Sequence, residues 1–299
     1  MNEHIKRGTL CSLGSLGADE DMYGTAMTVE TWLVLEYNGR WSGEAFRDSK
    51  IPDAVKAAIN RYIKGFPNSR IQLVKKQKRS SDGIKLFMAH SRDKDPVLYE
   101  ATIGAYDDLR DRDIGSFFGE RAKEPLFLIC TNGEHDKCCG KFGMPVYMEA
   151  AAGMYGENVW QSTHLGGHRF ASTLVCLPHG LYYGRVREGA RAEKIFDEYR
   201  NGRIELESCR GRSCYSPPVQ AAEYFLRKET GVREISAFYL RDAREKDREI
   251  RAEFLSDPDE KIFEVRLGRL DKALKILKSC GDKERSFIPL YRLLHIGEA

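Results

Sequence analysis

Two short stretches constrain this chain most: CTNGEHDKCCGKFG over Cys130–Gly143 and THLGGHRFAS over Thr163–Ser172. Together they hold Cys130, Cys138, Cys139, His135, His164 and His168, a density of soft and borderline ligands found nowhere else in the sequence. Cys130 ends the apolar run LFLIC, Leu126–Cys130, which has the length and composition of a buried strand. Cys139 stands at or just before a helix-compatible stretch reaching Met154, favoured by the Ala150–Ala152 run, with Pro145 expected at its true first turn. A strand, a loop and a helix bracketed by two cysteines belong to an α/β unit. The positive end of the helix dipole there would also favour a thiolate.

The same alternation extends along the chain. Thr31–Tyr37 reads as a strand closed by Asn38-Gly39, and Pro52 to Phe66 as a helix carrying Val55, Ala58, Ile59 and Ile63 on one face. Arg70–Lys75, Ile84–His90 and Val97–Ile103 follow as strands. Beyond Glu124-Pro125, Leu174–Leu177 and Leu181–Val186 are strands meeting at Pro178-His179-Gly180. Arg191–Arg200 and the stretch opened by Pro217-Pro218, Val219 to Lys228, are helices. From Glu234 onward period two takes over, at Ile235–Leu240, Ile250–Leu255, Ile262–Leu267 and Phe287–Leu294; the charged run Arg241–Arg251 is expected as a solvated connection. The reading is an α/β chain with a small β-rich C-terminal element. Its units are an N-terminal α/β domain over 1–120, a ligand-bearing domain over 121–232 and the β-rich element over 233–299. No internal repeat is visible.

Composition narrows the chemistry. Lys and Arg exceed Asp and Glu by 48 to 45, a net charge of +3 that nominates neither nucleic acid nor an anionic membrane as partner. No apolar run approaches the roughly 18 residues of a spanning helix, and the mixed-charge start Met-Asn-Glu-His-Ile-Lys-Arg lacks the pattern of a signal peptide. Eight cysteines in 299 residues are too few for a disulfide scaffold. A cytoplasmic, reducing setting is therefore expected, in which clustered Cys and His serve metal binding or catalysis.

Two cysteines and two histidines make the candidate site: Cys130-x8-Cys139 and His164-x3-His168. Thiolates select zinc, copper(I) or iron–sulfur clusters, and imidazole suits zinc or iron. Gly166-Gly167 argues for a tight turn between the histidines in place of a regular helix. A Cys₂His₂ zinc site usually has its cysteines two to four residues apart, so a span of eight leans slightly toward a larger object without deciding the matter. Cys138 is read as a supporting residue and His135 as a loop hydrogen-bonder. Cys11, Cys176, Cys209, Cys214 and Cys280 are read as ordinary packing, and His4, His90, His179 and His295 are left without a role. A thiol oxidoreductase working through Cys138-Cys139 stays open beside the metal readings.

At these residues the sequence resembles the sucrase/ferredoxin-like family. The resemblance rests on C-x-x-G-x-x-D-x-x-C at Cys130, Gly133, Asp136 and Cys139, and on H-x-G-G-H-R-F-A from His164 to Ala171. Lesser similarity lies at Gly24-Thr25-Ala26, at Arg210-Gly211-Arg212-Ser213 with Pro217-Pro218 and Gln220-Ala221-Ala222-Glu223, and at Ser279-Cys280-Gly281. It implies thioredoxin-like α/β units and a [2Fe–2S] cluster on Cys130, Cys139, His164 and His168. It also implies an electron carrier or redox sensor, more oxidising than an all-Cys ferredoxin, that exchanges electrons with a protein donor or acceptor the sequence does not name. Glycoside hydrolysis, implied by half of the family name, finds no pair of carboxylates to support it, and no catalytic residue is nominated.

Overall fold

The computed structural model describes residues 10–77, 82–257 and 260–299. His4, Lys78 and Arg79 lie outside them. In chain order the elements are α1 (Cys11–Gly17), β1 (Thr31–Glu36), α2 (Asp53–Ile63), β2 (Ser69–Lys75), β3 (Ile84–His90), β4 (Val97–Ile103) and a single turn, α3 (Asp108–Asp111). Then come β5 (Leu126–Cys130), α4 (Lys137–Ala152), β6 (Val159–Ser162), β7 (Leu174–Leu177), β8 (Leu181–Tyr183), α5 (Gly189–Arg200), β9 (Cys209–Arg212) and α6 (Pro217–Thr230). Four long strands end the chain: β10 (Phe238–Lys246), β11 (Glu249–Ser256), β12 (Ile262–Ile276) and β13 (Ser286–Glu298).

The first nine strands form one mixed sheet in the order β4-β3-β1-β2-β6-β5-β7-β8-β9. Within it a connectivity recurs that no sequence repeat announced. A strand, a helix and a parallel second strand (β1-α2-β2, β5-α4-β6) are followed by an antiparallel hairpin on the first strand's other side (β3-β4, β7-β8). The halves join through short antiparallel pairing of β2 with β6, Val74 opposite Ser162 and Lys75 opposite Gln161. The sheet therefore runs unbroken from the 1–120 unit into the 121–232 unit.

Strand period two sorts the core. On one face Leu33 and Leu35 meet Val55, Ile59 and Ile63 of α2, while Phe127 and Ile129 meet Val146, Tyr147 and Ala150 of α4 and Phe196 of α5. On the other, Trp32 and Val34 share one cluster with Leu126, Leu128 and Cys130. With both faces covered, β1 and β5 read as continuous apolar runs.

The C-terminal sheet, in the order β10-β11-β12-β13, packs on α6 through Tyr215, Leu226, Phe254, Val265 and Leu267. The charged run Arg241–Arg251 is largely strand: only Asp247 and Arg248, with φ of 51° and 68°, turn the chain between β10 and β11. Its exposed face explains the polar reading. Ile235–Ala237 is a 3₁₀ turn that precedes its strand, and β12 and β13 run well past the expected limits. The polar strand β9 and the four-residue β6 had no apolar alternation to betray them.

Candidate metal centre

Cys130 ends β5 on the face it shares with Leu126 and Leu128, fully buried. The chain then bends through a loop in which the Asn132 side-chain amide donates to the Ser42 carbonyl at 2.9 Å. Asp136 caps the helix, its carboxylate accepting the Cys138 N–H at 2.8 Å. Helix α4 thus begins at Lys137 and carries Pro145 in its interior, not at the first turn as expected. Cys139 falls in that first turn, where aligned N–H groups favour negative charge. Strand end and helix are pressed together at glycine: a Cβ on Gly143 would stand 1.9 Å from the Cys130 carbonyl oxygen.

The histidine stretch is a tight turn. Gly166 and Gly167 have φ of +93° and +72°, and His168 opens a 3₁₀ turn, His168–Phe170. A Cβ at 166 would meet Met27 Sδ at 2.3 Å, and one at 167 would meet Arg210 Nη2 at 2.2 Å. Arg210 clamps the turn from behind, donating to the carbonyls of Gly166 (3.0 Å) and Thr25 (2.5 Å) and to Thr25 Oγ1 (3.1 Å). Burial, with no carboxylate bonded to it, draws its guanidinium down to about 10. Arg70 donates to the His164 carbonyl, and Gln72 to the Thr163 carbonyl at 2.8 Å.

The two stretches converge. Cys139 Sγ lies 3.7 Å from His164 Nδ1, and His164 Nε2 lies 3.4 Å from His168 Nδ1. The donor atoms of Cys130, Cys139 and His164 all lie within 4.8 Å of one another, as do those of His135, His164 and His168. His164 is the shared member. The thiols are buried and the imidazoles half-buried, so the centre has a sulfur end in the core and a nitrogen end toward solvent. His135 bonds the Gly43 carbonyl through Nδ1 at 2.8 Å, the loop role expected of it. It also stacks on His164 with ring centres 3.9 Å apart, which makes it a third imidazole of the site.

Charge at the site follows from this packing. The Cys139 thiol hydrogen-bonds Cys130 and, against burial, holds the Cys130 thiol well below its ordinary range; His164 and the Leu165 N–H add to the effect. The Cys130 thiolate in turn pushes the Cys139 proton off only at higher pH. Burial lowers both His164 and His168, so they present neutral imidazoles with free lone pairs. This is a set of donors able to hold a metal.

Cys138 points elsewhere, toward Cys11 and Cys280, which makes a Cys138–Cys139 redox couple geometrically awkward. All eight cysteines are free thiols. Arg169 pairs with the buried Glu20 at 2.8 Å. His90 and His179 are hydrogen-bonded to Thr31 and Tyr199.

A sequence model of the sucrase/ferredoxin-like family matches residues 22–211, more than half of the chain. The chain belongs to the sucrase/ferredoxin-like family. No curated protein and no solved structure matches it. For this family member, the scattered similarities noted in the sequence become neighbours in space. Arg210 reaches Thr25 and Gly166, Gln220 accepts from the Ala26 N–H at 3.0 Å, and Arg212 pairs with Glu223 at 3.0 Å. Of these, Arg210 backs the histidine turn directly. Among the described residues no helix is long and apolar enough to cross a membrane.

Proposed function

We propose that this member of the family carries a [2Fe–2S] cluster on Cys130, Cys139, His164 and His168 and serves as a one-electron carrier or redox sensor. The observation that carries the reading is the elongated donor array. A single tetrahedral ion wants all four donors around one point, whereas here a Cys–Cys–His group and a His-containing group meet only through His164. Two metals side by side suit that spread better. The repeated strand order, in which a parallel pair is flanked by an antiparallel hairpin, is the basis for reading each half as thioredoxin-like.

When bound, the cluster supplies a reversible one-electron couple. The chain's residues set its bias. Replacing two thiolates by neutral imidazoles removes negative charge, and such His₂ centres lie at about −150 to +300 mV against about −400 mV for all-Cys plant-type clusters. Cys130 and Cys139, sealed in the core, exclude water from the sulfur end. His164 and His168 give electrons a route to a partner protein at the solvent side, and each keeps a ring N–H that can be lost as the oxidised centre gains positive charge. Electron and proton uptake then become linked at neutral to alkaline pH. Free, buried thiols are suited to a reducing compartment such as the cytoplasm.

The test is anaerobic purification with iron, sulfide and zinc analysis, and electron paramagnetic resonance after dithionite reduction. A red-brown protein with a reduced-state signal is expected. A colourless protein with one zinc on these four residues would return the site to a structural Cys₂His₂ role.

A further inference from the structure

Beside this centre the structure gathers a second set of soft ligands. Cys11 opens α1, Cys138 lies in the first turn of α4, and Cys280 sits in the connection, 277–285, between β12 and β13. Their sulfurs form a nearly equilateral triangle: Cys138 to Cys280 is 3.3 Å, and Cys11 is 3.6 Å from each. The Asp136 carboxylate closes the group, Oδ1 standing 3.8 Å from Cys11 Sγ, and all four donors lie within 4.8 Å of one another. Oδ2 is occupied by the Cys280 N–H at 2.8 Å and the Ser279 hydroxyl at 3.0 Å, whereas Oδ1 takes the Cys138 N–H at 2.8 Å and otherwise only the Cys11 thiol, whose proton leaves when its sulfur binds a metal. Oδ1 therefore has a lone pair to give. Leu10, Phe142, Ala171 and Leu277 wall the group off.

Ordinary packing puts a cysteine against hydrocarbon; it does not explain three sulfurs, from the two ends and the middle of the chain, each touching the other two. A disulfide would join two and strand the third. An ion about 2.3 Å from each sulfur in a tetrahedral shell needs sulfurs about 3.8 Å apart, a few tenths wider than observed. Three thiolates favour zinc or copper(I), and a carboxylate as fourth ligand favours zinc.

We propose that Cys11, Cys138, Cys280 and Asp136 form a second metal site, for zinc, that clasps α1 and the β12–β13 hairpin onto the start of α4. Each thiol releases its proton to solvent as its sulfur binds. Cys11 and Cys280 lie outside the residues that match the family model, 22–211, whereas Asp136 and Cys138 lie inside the ligand loop, so the clasp borrows one edge of that loop. It touches the first centre as well, since Asp136 Oδ2 is 3.9 Å from His168 Nε2 and Cys138 adjoins Cys139. The site does not depend on what the first centre holds.

The experiment measures zinc and iron per chain in full-length protein produced with zinc supplied, for wild type, Cys11→Ser, Cys280→Ser and the His164→Ala/His168→Ala double variant. Wild type should retain about one clasp zinc with about three sulfurs near 2.3 Å by zinc X-ray absorption. Each serine variant should keep less than about one tenth of that zinc with the first centre's metal unchanged. The double variant should keep the clasp zinc, which separates failure of this proposal from failure of the cluster reading. Zinc unchanged in both serine variants would overturn the clasp. So would a disulfide among the three thiols in a non-reducing peptide map, or free alkylation of all three in excess zinc.

Discussion

Gly143 is where the candidate metal centre is most sensitive to a change of one methyl group. Its φ is not in the left-handed region, so alanine there meets only a steric obstacle. The added Cβ would stand 1.9 Å from the Cys130 carbonyl oxygen, 3.0 Å from its carbon and 3.5 Å from Thr131 Cα. Backbone atoms cannot rotate away as a side chain would. To restore a contact of about 3 Å, the end of β5 and α4 must part by about 1 Å, and overpacking of that kind costs about 1–3 kcal/mol. The helix-propensity gain of alanine, about 0.5–1 kcal/mol, offsets only part. Metal–ligand distances tolerate about 0.2 Å, so the larger effect falls on the centre: Cys130 moves while Cys139 stays with the helix. Gly143→Ala should therefore lower metal content several-fold and lower Tm by a few degrees. Gly14→Ala in α1, whose Cβ meets nothing within 4 Å, is the matched control and should be neutral or slightly stabilising. Calorimetry and metal analysis of both proteins decide it. A Gly143→Ala protein with full metal and undiminished Tm would refute the close approach as a determinant of ligand placement.

Three further perturbations test other parts of the structure. Arg210→Met leaves the Gly166 and Thr25 carbonyls without their buried donor, so urea unfolding should show a loss of about 3 kcal/mol together with reduced metal content; an unchanged midpoint counts against the clamp. Burial alone would raise Glu223 from its ordinary 4.5, but Arg212 and Arg227 hold its carboxyl below that value, so its stabilisation is complete above about pH 4.5 and fades as pH falls through the lower folded value. Glu223→Gln should thus cost about 3–5 kcal/mol at neutral pH, with the Tm gap from wild type narrowing in acid; a gap that widens on acidification would show that the pair is misread. His168→Cys should lower the reduction potential of the centre and flatten its pH dependence in voltammetry, and a potential that rises instead would remove His168 from the ligand set.

What the sequence made legible follows from how local each signal is. Motif spacing nominates Cys130, Cys139, His164 and His168, and two adjacent glycines the turn between the histidines; the structure contains the turn, gathers Cys130, Cys139 and His164 in one group and sets His168 beside His164. The start of α4 was misplaced because Pro145 was weighed as a helix opener, whereas Asp136 is the cap that decides it; Asp136 stood in the quoted motif but was not read for its hydrogen bond. Cys11 and Cys280 were passed over because each stands alone in sequence, 269 residues apart, and only the long β12–β13 hairpin carries Cys280 back to α4. His135 was legible as a loop hydrogen-bonder but not as a ring stacked on His164. The recurrence of strand order in the two halves left no residue-level trace, since covered sheet faces ask only for apolar residues of suitable volume.

That recurrence gives the first half a physical role. Glu36 ends β1 at the place in the connectivity that Cys130 holds at the end of β5. It is buried, accepts the Lys85 N–H at 3.0 Å and the Asn38 amide at 2.8 Å, and has no cysteine or histidine near it in sequence. Among its described residues the first half thus offers no counterpart of the Cys130 site; it walls the candidate centre of the other half. Through β2 it presents Arg70 to the His164 carbonyl and Gln72 to the Thr163 carbonyl, and through the loop after β1 it presents the carbonyls of Ser42 and Gly43 to Asn132 and His135. Each of these bonds crosses between the halves and ends on a backbone carbonyl, the His135 ring or the Asn132 amide of the ligand-bearing stretches. The turn satisfies the Gly167 and His168 carbonyls itself, but its bend leaves those of Thr163, His164 and Gly166 in need of outside donors. The neighbouring half satisfies those of Thr163 and His164, which is a reason to keep two halves in a single sheet.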